Sequence, residues 1–142
     1  GTTDIFTSAL SSFSSEWNAT VGSGSRVNWP ANATQAQFRG LVGGYIVGLP
    51  NSIGYTSHSN AIESGSRMAA LINRAGNTIE PSADAVWFAM ADFSSQFNSR
   101  NAASLVDTYA QYGWPMASYS YIVIRMTSAH NCVVYSRLAK YL

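Results

Sequence analysis

Residues 1–17 constrain the fold more than any other stretch. Ile5, Phe6, Ala9, Leu10, Phe13 and Trp17 recur at spacings of three and four. That periodicity lines them along one stripe of a helix, with Ser and Thr filling the solvated side. Thr2 or Thr3 is expected to cap the helix, and Asp4 sits where the positive end of the dipole favours a carboxylate. The first-turn N–H groups of any helix lack acceptors of their own and attract anions. Gly1, just ahead of that turn, leaves room for an oxyanion to come close. Gly1, Thr2 and Thr3 are therefore candidate ligands for phosphate or a similar anion. The competing expectation is a helix that caps itself and binds nothing.

Beyond this helix the pattern alternates. A loop rich in Gly and Ser, residues 21–25, leads to an extended piece, Arg26 to Trp29, stopped by Pro30. Phe38, Leu41, Val42, Tyr45, Ile46 and Leu49 mark a second helix, with Gly40, Gly43 and Gly44 on its other side, where close packing against another element is expected. Pro50-Asn51 closes it, and residues 52–56 read as a short buried strand. A helical turn, Asn60 to Glu63, precedes an extended segment, Met68 to Asn73, and a turn at Gly76-Asn77. Ser82 is expected to cap a helix whose inner face is Ala83, Val86, Trp87, Met90, Phe93 and Phe97. Leu105, Val106 and Tyr109 suggest a shorter helical piece ending at Gly113, and Tyr119 to Ile124 a buried strand. Thr127-Ser128 opens a last helix with Val134, Tyr135, Leu138 and Leu142 on one face. Helices and short strands in turn, with no internal repeat, imply an α/β domain: a mixed sheet flanked by helices. Phe38, Leu41, Tyr45, Val86, Trp87, Phe93 and Ile122 to Ile124 are expected to share its core.

Charge excludes several functions. Only 11% of the 142 residues are charged and the net charge is +1. No basic cluster offers a footprint for nucleic acid, and the longest apolar run, Leu41 to Pro50, is too short and glycine-rich to span a bilayer. Cys132 is the single cysteine, so no internal disulfide or Cys-based metal site exists. Two sequons, at Asn18 and Asn32, stand in loop-like contexts and point to glycosylation. With few charges and many hydroxyls, they favour a secreted or extracellular protein, or a periplasmic one in a bacterium.

Catalytic chemistry finds no foothold. His58 and His130 lie far apart with no HExxH or Cys partners. There is no Gly-x-Ser-x-Gly elbow, and residue 1 is Gly rather than an N-terminal nucleophile. The seven acidic residues are scattered, with no paired-carboxylate motif. Trp29, Trp87 and Trp114 are read as core or cleft packing. The expectation is a protein that is not an enzyme and needs no cofactor.

Five stretches, in order, resemble the periplasmic phosphate-binding proteins of ABC transporters and their DING relatives. Gly1-Thr2-Thr3-Asp4-Ile5-Phe6 is similar to that family's Ser-Gly-Thr-Thr helix start. Trp29-Pro30 with Phe38-Arg39-Gly40-Leu41-Val42 resembles its Trp-Pro loop and glycine-marked helix. Leu49-Pro50-Asn51-Ser52-Ile53-Gly54-Tyr55 resembles its Pro-Gly-Ser-Ile-Gly-Tyr strand entry. The segment from Ala70 to Ser82 looks like its crossing to a Pro-Ser helix cap, and Trp114 to Ile124 like its return strand.

The resemblance implies that residues 1–142 form one lobe, the second, of a two-lobed type II binding-protein fold. The anion would lie in the cleft between lobes, held on this side at Gly1 and Thr2, with Thr3 supporting. The family's upstream Arg, Asp and Ser, and its first lobe, would precede residue 1. The chain is then either a piece of a two-lobed protein or a lobe reused without its cleft. The implied function is non-enzymatic binding of inorganic phosphate, completed by the missing lobe or another protein chain. The alternative is an assembly module of a secreted glycoprotein that has lost the ligand. In either case the C-terminal helix, with Val134, Leu138 and Leu142, is expected to contact another segment or chain.

Overall fold

The computed structural model describes residues 1–30, 33–123, 136, 137 and 140. The expectations for Asn32, Ile124, the helix opening at Thr127-Ser128, His130, Cys132, Val134, Tyr135, Leu138 and Leu142 lie outside the described residues.

The opening helix forms but stops early. Thr2–Phe13 is α1 and Ser15–Thr20 is α2. Ser14 separates them in an extended conformation, its N–H donating to the Leu10 carbonyl and its hydroxyl accepting from the Trp17 N–H at 3.1 Å. One serine thus ends the first helix and caps the second, overriding the apolar stripe that runs to Trp17. Thr2 and Thr3 do not cap. The N-cap is Gly1, whose carbonyl accepts from the Ile5 N–H at 3.2 Å, and both threonines lie inside the first turn.

Arg39–Gly48 is α3 and His58–Ser64 is α4. Their contact meets the expected close packing on the glycine side of α3, but most of the apolar stripe does not pack. Gly43 is buried, and a Cβ placed there would stand 2.1 Å from Ser64 Oγ. Ser66 Oγ donates to the Gly43 carbonyl at 3.2 Å, and Val42 and Ile46 lie against Gly54. Phe38, Leu41, Tyr45 and Leu49, four of the expected stripe, are exposed. The helix packs on α4 at Gly43, where its backbone can approach most closely, while Gly40 and Gly44 stay exposed. Residues 52–56 form no strand, and Ile53 is 96% exposed.

Two antiparallel hairpins complete the architecture. Leu71–Ile72 (β1) pairs with Thr78–Ile79 (β2) around a turn where Gly76 has φ +83°. After Ala83–Asp92 (α5), Ser104–Val106 (β3) pairs with Met116–Ser118 (β4), Leu105 opposite Ala117. The helical piece expected from Leu105 to Gly113 does not form; its start is the strand Ser104–Val106. The chain leaves it at Asp107, which has φ +57° and donates its N–H to the Pro115 carbonyl at 2.9 Å. The second strand comes earlier than expected, while Tyr121, Ile122 and Val123 are exposed. Helices around small sheets make the protein α/β; among the described residues the two sheets remain separate.

Ser82 caps α5 as expected, accepting from the Ala85 N–H at 3.1 Å. Its buried residues are Ala85 and Ala89, not the broader face read from the pattern: Trp87 is 62% exposed, and Ala83, Met90 and Phe97 also face solvent. Small side chains admit the Trp114 N–H to the Ala85 carbonyl at 2.9 Å. The core consists of Phe93, Leu105 and Ala117, with Val86, Trp114 and Tyr119 packed on it. Of the described residues expected there, only Val86 and Phe93 take part.

Candidate functional site

Gly1, Thr2 and Thr3, the residues singled out in the sequence, lie at the N-cap and first turn of α1. The ladder begins with the Ile5 N–H, so the N–H groups of Thr2, Thr3 and Asp4 precede it and have no acceptor within the helix. Gly1 is exposed and Thr2 and Thr3 are half-buried. Asp4, exposed in the same turn, complements the dipole and competes with any bound anion for it.

Two sets of contacts fix this turn. Thr7 is fully buried; its hydroxyl accepts from the Gly24 N–H at 3.0 Å and lies 2.9 Å from the Thr3 carbonyl and 3.1 Å from that of Gly24, either of which it can donate to. A side chain one turn into the helix therefore straps α1 to the Gly-Ser loop. On a neighbouring face, Phe6 stacks on Tyr55 with centroids 4.3 Å apart and 11° between planes. Trp29 stands 5.9 Å from Tyr55 and 6.0 Å from Trp17, whose Nε1 donates to the Gly22 carbonyl at 3.0 Å. Held this way, the Tyr55 phenol meets the Thr3 hydroxyl at 3.0 Å. One bond between two hydroxyls consumes one proton and leaves the other free to donate.

Sequence reasoning singled out Gly1, Thr2 and Thr3 but not Phe6, Trp29 and Tyr55 as their support. A signal was present, because Trp29-Pro30 and Gly54-Tyr55 are aromatic positions in nearly charge-free surroundings. A cleft of about 310 Å³ runs along the same helix, lined by Asp4, Ile5 and Ser8 on one side and by Asn98, Ala102, Ala103 and residues of β3 and β4 on the other.

The remaining candidates lie apart from this turn. Asn18 is exposed, but it lies within α2 and not in a loop. His58 is the exposed first residue of α4. Among the described residues no group of three or more His, Cys, Asp or Glu could hold a metal, and no helix is long and apolar enough to cross a membrane. A separate polar cluster joins Arg74 to Asp107 at 3.3 Å, with Arg74 stacked 4.0 Å over the Tyr109 ring and the Ser12 hydroxyl donating to the same carboxylate.

No family model matches the chain. It is similar, however, to curated phosphate-binding proteins. It is 33% identical over 127 residues to the phosphate-binding protein PstS of Xylella fastidiosa, covering 88% of this chain and 34% of that protein. It is 32% identical over 124 residues to PstS of Pasteurella multocida, covering 87% and 36%. A stretch of 55 residues, 38% of the chain, is 40% identical to 3% of a putative serine/threonine-protein kinase/receptor of Acanthamoeba polyphaga mimivirus. The resemblance to phosphate-binding proteins thus holds over most of the chain, which spans about a third of their length. Those bacterial relatives are named for binding rather than for catalysis, as the lack of a catalytic motif led one to expect.

Proposed function

We propose that this chain is the second-lobe portion of a non-enzymatic, extracellular or periplasmic solute-binding protein, and that it holds inorganic phosphate or a similar oxyanion at the start of α1. The observation that carries the reading is its similarity, over 88% of its length, to a phosphate-binding protein. The structure supports it with a first turn whose N–H groups are unengaged within the helix. In this reading Gly1 and Thr2 offer backbone N–H groups and Thr2 its hydroxyl. Thr3 adds its N–H and the hydroxyl pair it forms with Tyr55. A missing lobe or another chain supplies the remaining donors and the positive charge.

Calorimetric titration of the complete natural protein with phosphate, wild type beside Thr2→Val, tests this. Alone, the 142 residues should bind with a Kd no tighter than the millimolar range, about 4 kcal/mol. The complete protein should bind orders of magnitude more tightly. Thr2→Val should weaken it by about 1–3 kcal/mol, the cost of leaving a charged acceptor without its donor. No heat of binding, or equal affinity for the two proteins, would sink the phosphate reading.

A second reading is favoured by the mimivirus relative, in which the matched stretch is a small piece of a much longer kinase/receptor. Here the chain is an assembly module of a secreted glycoprotein, keeping the fold and not the ligand. Glycans at Asn18 and Asn32 would accompany it, visible as a mass loss on treatment with an N-glycan-cleaving amidase.

A further inference from the structure

The α3 helix has no polar face. From Gly40 to Gly48 it carries no charge and no amide, and its one hydroxyl is that of Tyr45. A helix apolar all round belongs in an interior. Gly43 meets α4, yet Phe38, Leu41, Tyr45, Val47 and Leu49, on α3 and its caps, are between 43% and 69% exposed. The chain exposes 10,688 Å², against roughly 7,100 Å² for a compact protein of its mass. The surplus, roughly 3,500 Å², is several times the ~800 Å² that each partner gives to a stable interface.

The outer face of α3 also has a definite shape. Leu41, Tyr45 and Leu49, four residues apart, form a ridge along the helix. Gly40, Gly44 and Gly48 form the adjacent row, and nothing stands within 4 Å of the place a Cβ would take at any of them. That row is a groove, with the ridge on one side and exposed Val47 on the other. Arg39 is the single charge on the helix, so the face offers nothing to a charged partner. It also lacks the row of Lys and Arg with which a helix lies on a membrane surface. The matching occupant is an uncharged helix with a ridge and a groove of the same spacing, and a second α3 has both.

We infer that α3 pairs with α3 of a second copy across a two-fold axis near Gly44. The ridge of each helix lies in the glycine groove of the other. Equal four-residue rows on both helices set a crossing angle of about −50°, and the contact is self-complementary, as a two-fold interface must be. The inference is independent of the phosphate reading. Sedimentation velocity of the complete natural protein over roughly 1–100 µM tests it; a concentration-dependent dimer is expected. Gly44→Leu adds apolar surface and helix propensity, so it would strengthen a merely sticky patch. Here it fills the groove, and the dimer Kd should rise at least about tenfold. Tyr45→Ser, which lowers the ridge, should weaken the dimer to a similar extent. If circular dichroism shows that Gly44→Leu does not fold, Gly48→Leu makes the same test at the end of the groove. A protein that stays monomeric over that range overturns the inference, whether its own remaining chain or another protein covers α3. So does a groove-filled variant that dimerises as tightly as the wild type.

Discussion

At Asn73 one amide side chain, 4% exposed, holds together two segments nearly forty residues apart. Its Nδ2 lies 3.1–3.2 Å from the carbonyls of Ala110, Gln111 and Gly113, and its Oδ1 accepts from the Ala75 and Asn77 N–H groups. Along α3 the reverse obtains. Large apolar residues, Phe38, Leu41, Tyr45 and Leu49, face solvent, and the helix is held through a glycine and two serines. In the first region a polar residue is buried because the chain around it must be satisfied. In the second, apolar residues are exposed because the helix sits closest to its neighbour where it has no side chain. Hydrophobicity alone ranks these two regions the wrong way round.

Four substitutions test that contrast, from the largest expected effect to the smallest. Asn73→Ala leaves backbone donors and acceptors unpaired in a buried place, each costing about 1–3 kcal/mol. A loss of about 3–5 kcal/mol in denaturant melts is expected; less than 1 kcal/mol would remove Asn73 from its central place. Gly43→Ala drives a methyl into Ser64 and is expected to cost about 1–3 kcal/mol as overpacking, offset in part by about 1 kcal/mol of helix propensity. A stabilised variant would show that α3 and α4 are not in close contact. Arg74→Met removes the ion pair to Asp107 and the contact with the Tyr109 ring. The side chain is nearly half exposed, so about 1 kcal/mol or less is expected, shrinking further in about 1 M salt. Leu41→Ala, at a position 46% exposed, should stay within about 0.5 kcal/mol, the range of ordinary surface changes. A cost of about 2–5 kcal/mol would instead mean a buried leucine and would restore the facing expected from the apolar stripe.

The same contrast separates what was legible in the sequence from what was not. Local signals with a backbone mechanism were legible: the Ser82 cap, the turn at Gly76, the end of α3 just ahead of Pro50-Asn51, the placement of Asp4 in a first turn. The start of α1 just after Gly1 was legible for the same reason, since it needed only the helix pattern that follows. Facing was less so. The stripes on α3 and α5 are wide and apolar almost all round, so periodicity left several faces open, and Gly43, Ala85 and Ala89 decided among them by permitting close approach. Leu105 and Val106 fit a helix or a strand equally well at that length; pairing with Met116–Ser118 settled the matter. Tyr55 escaped notice because its link to Thr3 spans 52 residues, which no local pattern encodes.

The aromatic cluster over α1 has an optical consequence. Trp17 and Trp29 lie 6.0 Å apart, and Trp29 in turn meets Phe6 and Tyr55, close enough for the two indoles' excited states to couple and to produce a near-ultraviolet dichroic signal of their own. Trp87, by contrast, is open to solvent, so an aqueous quencher reaches it first and strips its emission away. The light that survives quenching comes from the two indoles beside the first turn and from Trp114, which packs on the core. An event at Thr3 transmitted through Tyr55 changes the surroundings of Trp29 directly, and the protein carries a built-in fluorescent reporter of its candidate site without any added label.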